Sequence, residues 1–326
     1  MHVALPLLSA VLSFAFAAMV FDQWWQRRHN FQLVWSIGLL FYGVATGCEL
    51  LGGAFGWSQG LYRTWYLVGA FLVPAYLGAG TLYLLNKTRF GYFVAASVVF
   101  GGLFSVLATS KYAGSSTAGF VALAFALVAA VAIAVATWRR RELQGHVAMA
   151  FLALGTLVVA VLVFSAPLTQ VTIDPTTHAP LASGFPGYLR VSSIPFNSGG
   201  GLALVFGALY SAYIYMPKRR AVQARLGVIA IAVNFVVSLP SAFSALLRGK
   251  LNSRVPATIL IALGALIPGI TSSLNRFGVT WSFFLGEFLG LVLIFIGFLV
   301  SEEVFRNIRL GTTIWTRPAS LEREAG

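Results

Sequence analysis

Apolar residues run along the chain in blocks of about 17–25, the length that carries a helix through the hydrocarbon core of a bilayer. Ten such blocks can be marked, roughly 3–21, 31–54, 64–86, 90–109, 119–138, 146–166, 199–216, 226–246, 255–275 and 280–300. Charged and turn-forming residues gather in the gaps between them. In lipid a helix satisfies its own backbone, whereas an open strand edge does not. The pattern predicts an all-α fold, a polytopic transmembrane helical bundle over residues 1–304, with a basic cytoplasmic tail over 305–326.

Composition excludes the soluble alternative. The chain is 58% hydrophobic and 10% charged, with a mean hydropathy of +0.84, too apolar to cover a water-exposed surface. Cys48 is the only cysteine, so neither an intrachain disulfide nor a thiolate metal cage can form. His2, His29, His146 and His178 are too scattered to face one another as haem ligands. No zinc-binding or nucleophilic motif is recognisable, and the sequence names no cofactor. The net charge of +13 sits in short loops between apolar blocks. That is the placement of the positive-inside rule, and it implies the lipid bilayer as partner and no nucleic acid.

Charge also chooses among topologies. The first block carries its basic pair, Arg27-Arg28, after the apolar run. It therefore reads as a retained helix with its N-terminus outside, despite the cleavage-like Ala15-Phe16-Ala17. If all ten blocks cross, Lys and Arg divide 12 inside to 10 outside; if block 226–246 enters and leaves on the inner side, they divide 18 to 4. That block is interrupted by Asn234, Ser238, Pro240, Ser241 and Ser244, and a proline removes a backbone donor. About nine crossings are expected, with 226–246 re-entrant, the N-terminus outside and the tail inside. Arginine outnumbers lysine 18 to 4, which points to a GC-rich bacterial source and so to the plasma (inner) membrane.

Trp24, Trp25, Tyr62, Trp65, Tyr66, Trp138 and Trp281 fall near block ends, where amphipathic rings anchor at the interface. The longest gap, about 167–198, is proline-rich and belongs outside, as a lid or a disordered loop. Ser198-Gly199-Gly200-Gly201 reads as the flexible start of a helix, and Pro74, Pro240 and Pro268 as kinks or broken helices.

Two carboxylates stand inside apolar blocks, Glu49 and Glu287, each with glycine three positions on, Gly52 and Gly290. Intramembrane charges are costly and mark function by default. In the nine-crossing topology Glu49 lies roughly 7 Å and Glu287 about 10 Å below the outer face, at 1.5 Å per residue, so the two share one depth. Two carboxylates in a low-dielectric site cannot both ionise cheaply without a proton, a cation or an arginine between them. Arg276 is the nearest cation in that topology, with Arg63 and Arg190 on the same side. Glu49, Glu287 and Arg276 are therefore the candidate ligand- or ion-binding residues, for a small cationic ligand or a proton. The competing role is a buried Glu–Arg pair that fixes helix register. These features point to a small-solute or ion transporter or binding protein. The alternative is a non-catalytic sensory or complex-associated subunit, whose protein partner docks on the basic inner loops. A membrane enzyme would need a cluster of His, Asp or Glu at one face.

Overall fold

The computed structural model describes residues 2–219, 221–222, 227–248, 251–276 and 278–301. The expected basic tail, 305–326, lies outside them. The helices are α1 (Ala4–Arg27), α2 (Asn30–Phe55), α3 (Gln59–Tyr66), a π turn (Leu67–Leu72), α4 (Val73–Leu84), α5 (Phe90–Ala108), α6 (Ser116–Arg139), α7 (Gln144–Ser165), α8 (Gly187–Tyr215), α9 (Gly227–Leu247), α10 (Arg254–Arg276) and α11 (Phe283–Val300). Among the described residues β pairing is confined to one isolated bridge, Ile173 with Pro180. Nine helices there are long and apolar enough to cross a membrane, with α3 through α4 taken as one rod. This is the build of a multi-pass membrane protein.

Those nine include α9 and leave out α8. The reason is packing. α8 is the central rod, set against α4, α5, α6 and α10, so its faces meet protein and can carry serine and glycine. Without a hydrophobic drive between helices in lipid, close van der Waals approach holds them, and small residues permit it. At the crossing of α4 and α8 a Cβ on Gly200 would stand 2.2 Å from the Pro74 carbonyl oxygen, and one on Gly78 would stand 2.4 Å from that of Gly200. The expectation that Ser198–Gly201 opens a helix is thus corrected. α8 begins at Gly187, the glycines lie mid-helix, and the connecting loop shortens from the expected 167–198 to 166–186. The α10–α11 hairpin uses the same device, with Gly290 against Pro268 and the Gly264 carbonyl, and Gly297 against the Ala257 carbonyl.

Helix ends are satisfied by buried side chains, as lipid demands. Gln144, fully buried, accepts from the Gly91 N–H at the start of α5 (2.9 Å) and donates towards the Asn86 carbonyl just past α4 (3.2 Å). Arg63 donates from Nη2 to the Ala166 carbonyl (2.7 Å) and from Nη1 to that of Val163, closing the C-terminus of α7, where a cation also meets the negative end of the helix dipole.

The chain ends of these rods sort to two poles. One pole gathers the α2–α3 turn, the 166–186 loop and the α10–α11 turn: Tyr62 Oη donates to the Leu181 carbonyl, and Asn275 Nδ2 to that of Pro180 at 3.3 Å. At the other pole Arg254 Nη1 donates to Tyr215 Oη at 2.5 Å, so α8 ends beside the start of α10. α9, which follows α8 in the chain, runs unbroken through Pro240, where the sequence suggested an interruption. The polar residues that suggested it serve the 217–222 linker instead. Asn234 Oδ1 accepts from the N–H of Ala221 (2.8 Å) and Val222 (3.0 Å), and Ser238 Oγ accepts from that of Arg219 (2.9 Å).

The glycine crossing yields a paired test. Gly200→Ala meets backbone atoms on α4 and should cost about 1–3 kcal/mol, as overpacking does. A Cβ on neighbouring Gly201 meets nothing within 4 Å, so Gly201→Ala should be neutral or stabilise by about 0.5–1 kcal/mol through helix propensity. Denaturant unfolding of both variants in detergent measures the difference.

Candidate functional site

Glu49 sits near the end of α2 and is 1% exposed. Its Oε1 accepts from Trp65 Nε1 of α3 at 2.8 Å. Its Oε2 is buried and receives no N–H or O–H from the other described residues. The Glu287 carboxyl, from the first turns of α11, lies in hydrogen-bonding contact with Glu49. Two carboxyl oxygens bond only when one of them carries a proton, or when a cation lies between them. Tyr42, two turns before Glu49 on the same face of α2, donates to the Glu287 backbone carbonyl at 2.8 Å and ties the two helices together. The structure therefore brings together the two carboxylates that the sequence singled out.

It leaves the third candidate undecided. Arg276 closes α10, and its side chain lies outside the described residues. Arg63 is committed to the end of α7. The glycines beside the carboxylates are filled by protein: a Cβ on Gly52 would stand 2.2 Å from the Trp57 ring, and one on Gly290 2.3 Å from the Pro268 ring. They serve packing rather than ligand access.

Glu287 faces a cavity of about 270 Å³ whose wall also includes Trp65, Gly69, Arg190, Asn197 and Asn275. The π turn forms part of that wall. A π turn holds i→i+5 hydrogen bonds and widens the helix locally, a feature frequent at functional sites; here it ends at Leu72, two residues before Pro74, which lacks an N–H to donate. Pro74 is thus the proline that marks a local irregularity, whereas Pro240 and Pro268 lie inside continuous helices.

Three aromatics change role. Tyr62, Trp65 and Tyr66 are 0%, 8% and 2% exposed and are not interfacial anchors. Phe185 of the loop stacks on Tyr62 and Tyr66, with ring centroids 4.8 and 4.0 Å apart. Trp25, Trp138 and Trp281 are exposed, as anchors should be. The partnership of Trp65 with Glu49 had a sequence signal. Each lies eight residues from Trp57 in the α2–α3 turn, and an antiparallel hairpin places such positions level. Asn197 and Asn275 had no signal beyond polarity near block ends.

The 166–186 loop is an ordered cap. The Asp174 carboxylate accepts from the N–H of Thr177 (2.7 Å) and Thr176 (3.0 Å) and from Thr177 Oγ1 (2.9 Å). The Thr177 N–H above all holds that carboxyl below its usual range. His2 stacks against His178 with centroids 4.4 Å apart, and desolvation, then the neighbouring imidazole, lower its pKa. Among the described residues no group of three His, Cys, Asp or Glu is placed to hold a metal ion.

The two shifts set a pH order for the cap. The lowered imidazole favours the neutral form in the fold, so its contact weakens as pH falls through the ordinary value of about 6.5. The lowered carboxyl contributes stability above about 3.9, which is lost as pH falls through its folded value. Amide exchange in the loop should therefore rise in two stages on acidification, the second at Thr176 and Thr177. Asp174→Ala should produce the second stage at neutral pH. No protein-family model, curated protein or solved structure matches this chain.

Proposed function

We propose that this multi-pass membrane protein binds a small cation or a proton at the Glu49–Glu287 pair and serves small-solute or ion transport. One observation carries the reading: the buried Glu49 carboxylate, with one oxygen that no N–H of the described residues satisfies, lies against a second carboxyl, Glu287, on a cavity wall. Such a pair holds one positive charge, either a proton or a metal or ammonium cation, and exchanges it with whatever enters the cavity. A purely structural pair would need neither member on a cavity wall, and Glu287 stands on one.

The proposal includes a topology. The chain crosses nine times, through α1, α2, α3–α4, α5, α6, α7, α8, α10 and α11, with α9 starting and ending on the inner side. Supporting this are the 18-to-4 division of basic residues and the neighbouring ends of α8 and α10. The cavity then opens beneath the outer cap, and the chain resides in the plasma membrane with its basic loops inside. In a Cys48→Ser background, single cysteines at Leu251 and Ser320 should label only from the inside of intact cells. Labelling of either from outside overturns the nine-crossing topology.

The carboxylate pair is tested by substitution. Gln at position 287 still offers Glu49 Oε2 a donor but cannot carry charge. Glu287→Gln should unfold within about 1 kcal/mol of the parent yet lose the dependence of its melting temperature on pH and Na⁺. Glu287→Leu leaves Glu49 with the Trp65 indole alone and no group to share its charge, and should cost about 3–5 kcal/mol. If instead Glu287→Gln destabilises as much as Glu287→Leu and matches Arg276→Gln, the pair fixes register and binds nothing.

A further inference from the structure

Around the carboxylate pair, the cavity holds further groups whose bonding is incomplete, and they differ in sign. Asn275 is 9% exposed. Its Nδ2 is used by the Pro180 carbonyl, while its Oδ1 has no donor among the described residues. Beside it stands the Glu287 carboxyl, in contact with the buried Glu49, so the wall offers one acceptor without a donor and one carboxyl pair that needs a single positive charge. Buried polar atoms are nearly always satisfied, so an orphaned acceptor in a cavity wall next to a carboxyl pair calls for a ligand that donates. An ammonium group brings three N–H donors and the charge that two carboxyls require.

The same wall carries a cation. Arg190, in the first turn of α8, places its guanidinium 4.4 Å from the centroid of the Tyr112 ring, and it makes no ion pair among the described residues. Asp174 lines the same cavity, but its Oδ1 is taken by Thr176 and Thr177 and it forms no ion pair with Arg190 among the described residues. A guanidinium lodged over an aromatic ring still has N–H groups for a planar anion, which it can bind through two parallel bonds. The volume of about 270 Å³ is that of roughly nine waters, room for a small molecule and not for a peptide.

We infer that the cavity takes a small dipolar ligand of amino-acid type, its ammonium group at Glu287, Glu49 and Asn275 and its carboxylate or sulfonate at Arg190. The inference rests on the carboxylate pair being a binding site, and adds the anionic half of the ligand. A ligand with both charges compensates both ends of the cavity at once. An amine alone leaves Arg190 without a counter-ion, and an anion alone meets the carboxylates.

The full chain in detergent is titrated by thermal shift with the twenty amino acids and taurine, with ethylamine as the ammonium half and propionate as the anionic half. At least one dipolar compound should bind ten or more times tighter than ethylamine, and propionate should not bind. Arg190→Gln should abolish that advantage while ethylamine still binds, which also reports an intact cavity. Glu287→Gln should lose both. If ethylamine binds as tightly as every dipolar compound, or Arg190→Gln leaves the preference untouched, the inference fails and the carboxylate site stands. If neither class binds and Glu287→Gln changes nothing, the inference and the site fail together.

Discussion

Close backbone approach is the constraint on which this bundle depends. Lipid tails are as apolar as leucine, so burial alone gives no reason for one helix to prefer another. The crossing of Gly78 and Gly200 brings α4 and α8 within backbone contact and sets the position of the central rod. α5, α6 and α10 then arrange around α8, and the cavity is the space left between that rod, α11 and the half of the third span nearest the 166–186 loop. The glycines of α10 and α11 repeat the solution one hairpin further on. Helix ends are closed by Gln144 and Arg63, because nothing in the hydrocarbon could do so.

Against this background the carboxyl pair is the costly exception. Elsewhere in the described helices buried polar groups are mostly serine and threonine bonding back to their own helix, such as Thr46, Thr81 and Ser97. Glu49 has no such local partner for Oε2, and its other oxygen is fixed by an indole from the next helix. The bundle builds around the group rather than burying it by accident. Trp65 orients it, Tyr42 holds the backbone of its partner, and the aromatic stack with Phe185 closes the space on the loop side.

Much of this was legible in the residues, for identifiable reasons. Period, length and charge distribution mark helices and their ends, because lipid imposes one length and one sign rule. Charge inside an apolar block is conspicuous, so Glu49 and Glu287 could be singled out. What could not be read is whatever depends on tertiary contact. α8 was truncated because Arg190, Ser192 and Ser193 look like loop residues until neighbouring helices cover them. Tyr62, Trp65 and Tyr66 resemble interfacial anchors because only the folded loop buries them. Asn234 and Ser238 suggested a break in α9 because their partners, the backbone of residues 219–222, leave no trace in a hydropathy plot.

The π turn gives the third span two independent registers. An α-helix advances about 100° per residue, so a face set by packing at one end dictates the face shown at the other. Leu67–Leu72 interrupts that phase. Downstream, Gly78 is locked against α8; upstream, Trp65 is aimed at Glu49. Removing one residue between them would keep the inner lock and swing the indole about 100° round the axis, with a shift of about 1.5 Å along it. A single-residue insertion or deletion at this turn would thus re-aim the half of the span that carries Trp65 while the Gly78 crossing is left undisturbed. Length variation at this turn, more than substitution, would therefore change which side chains line the cavity.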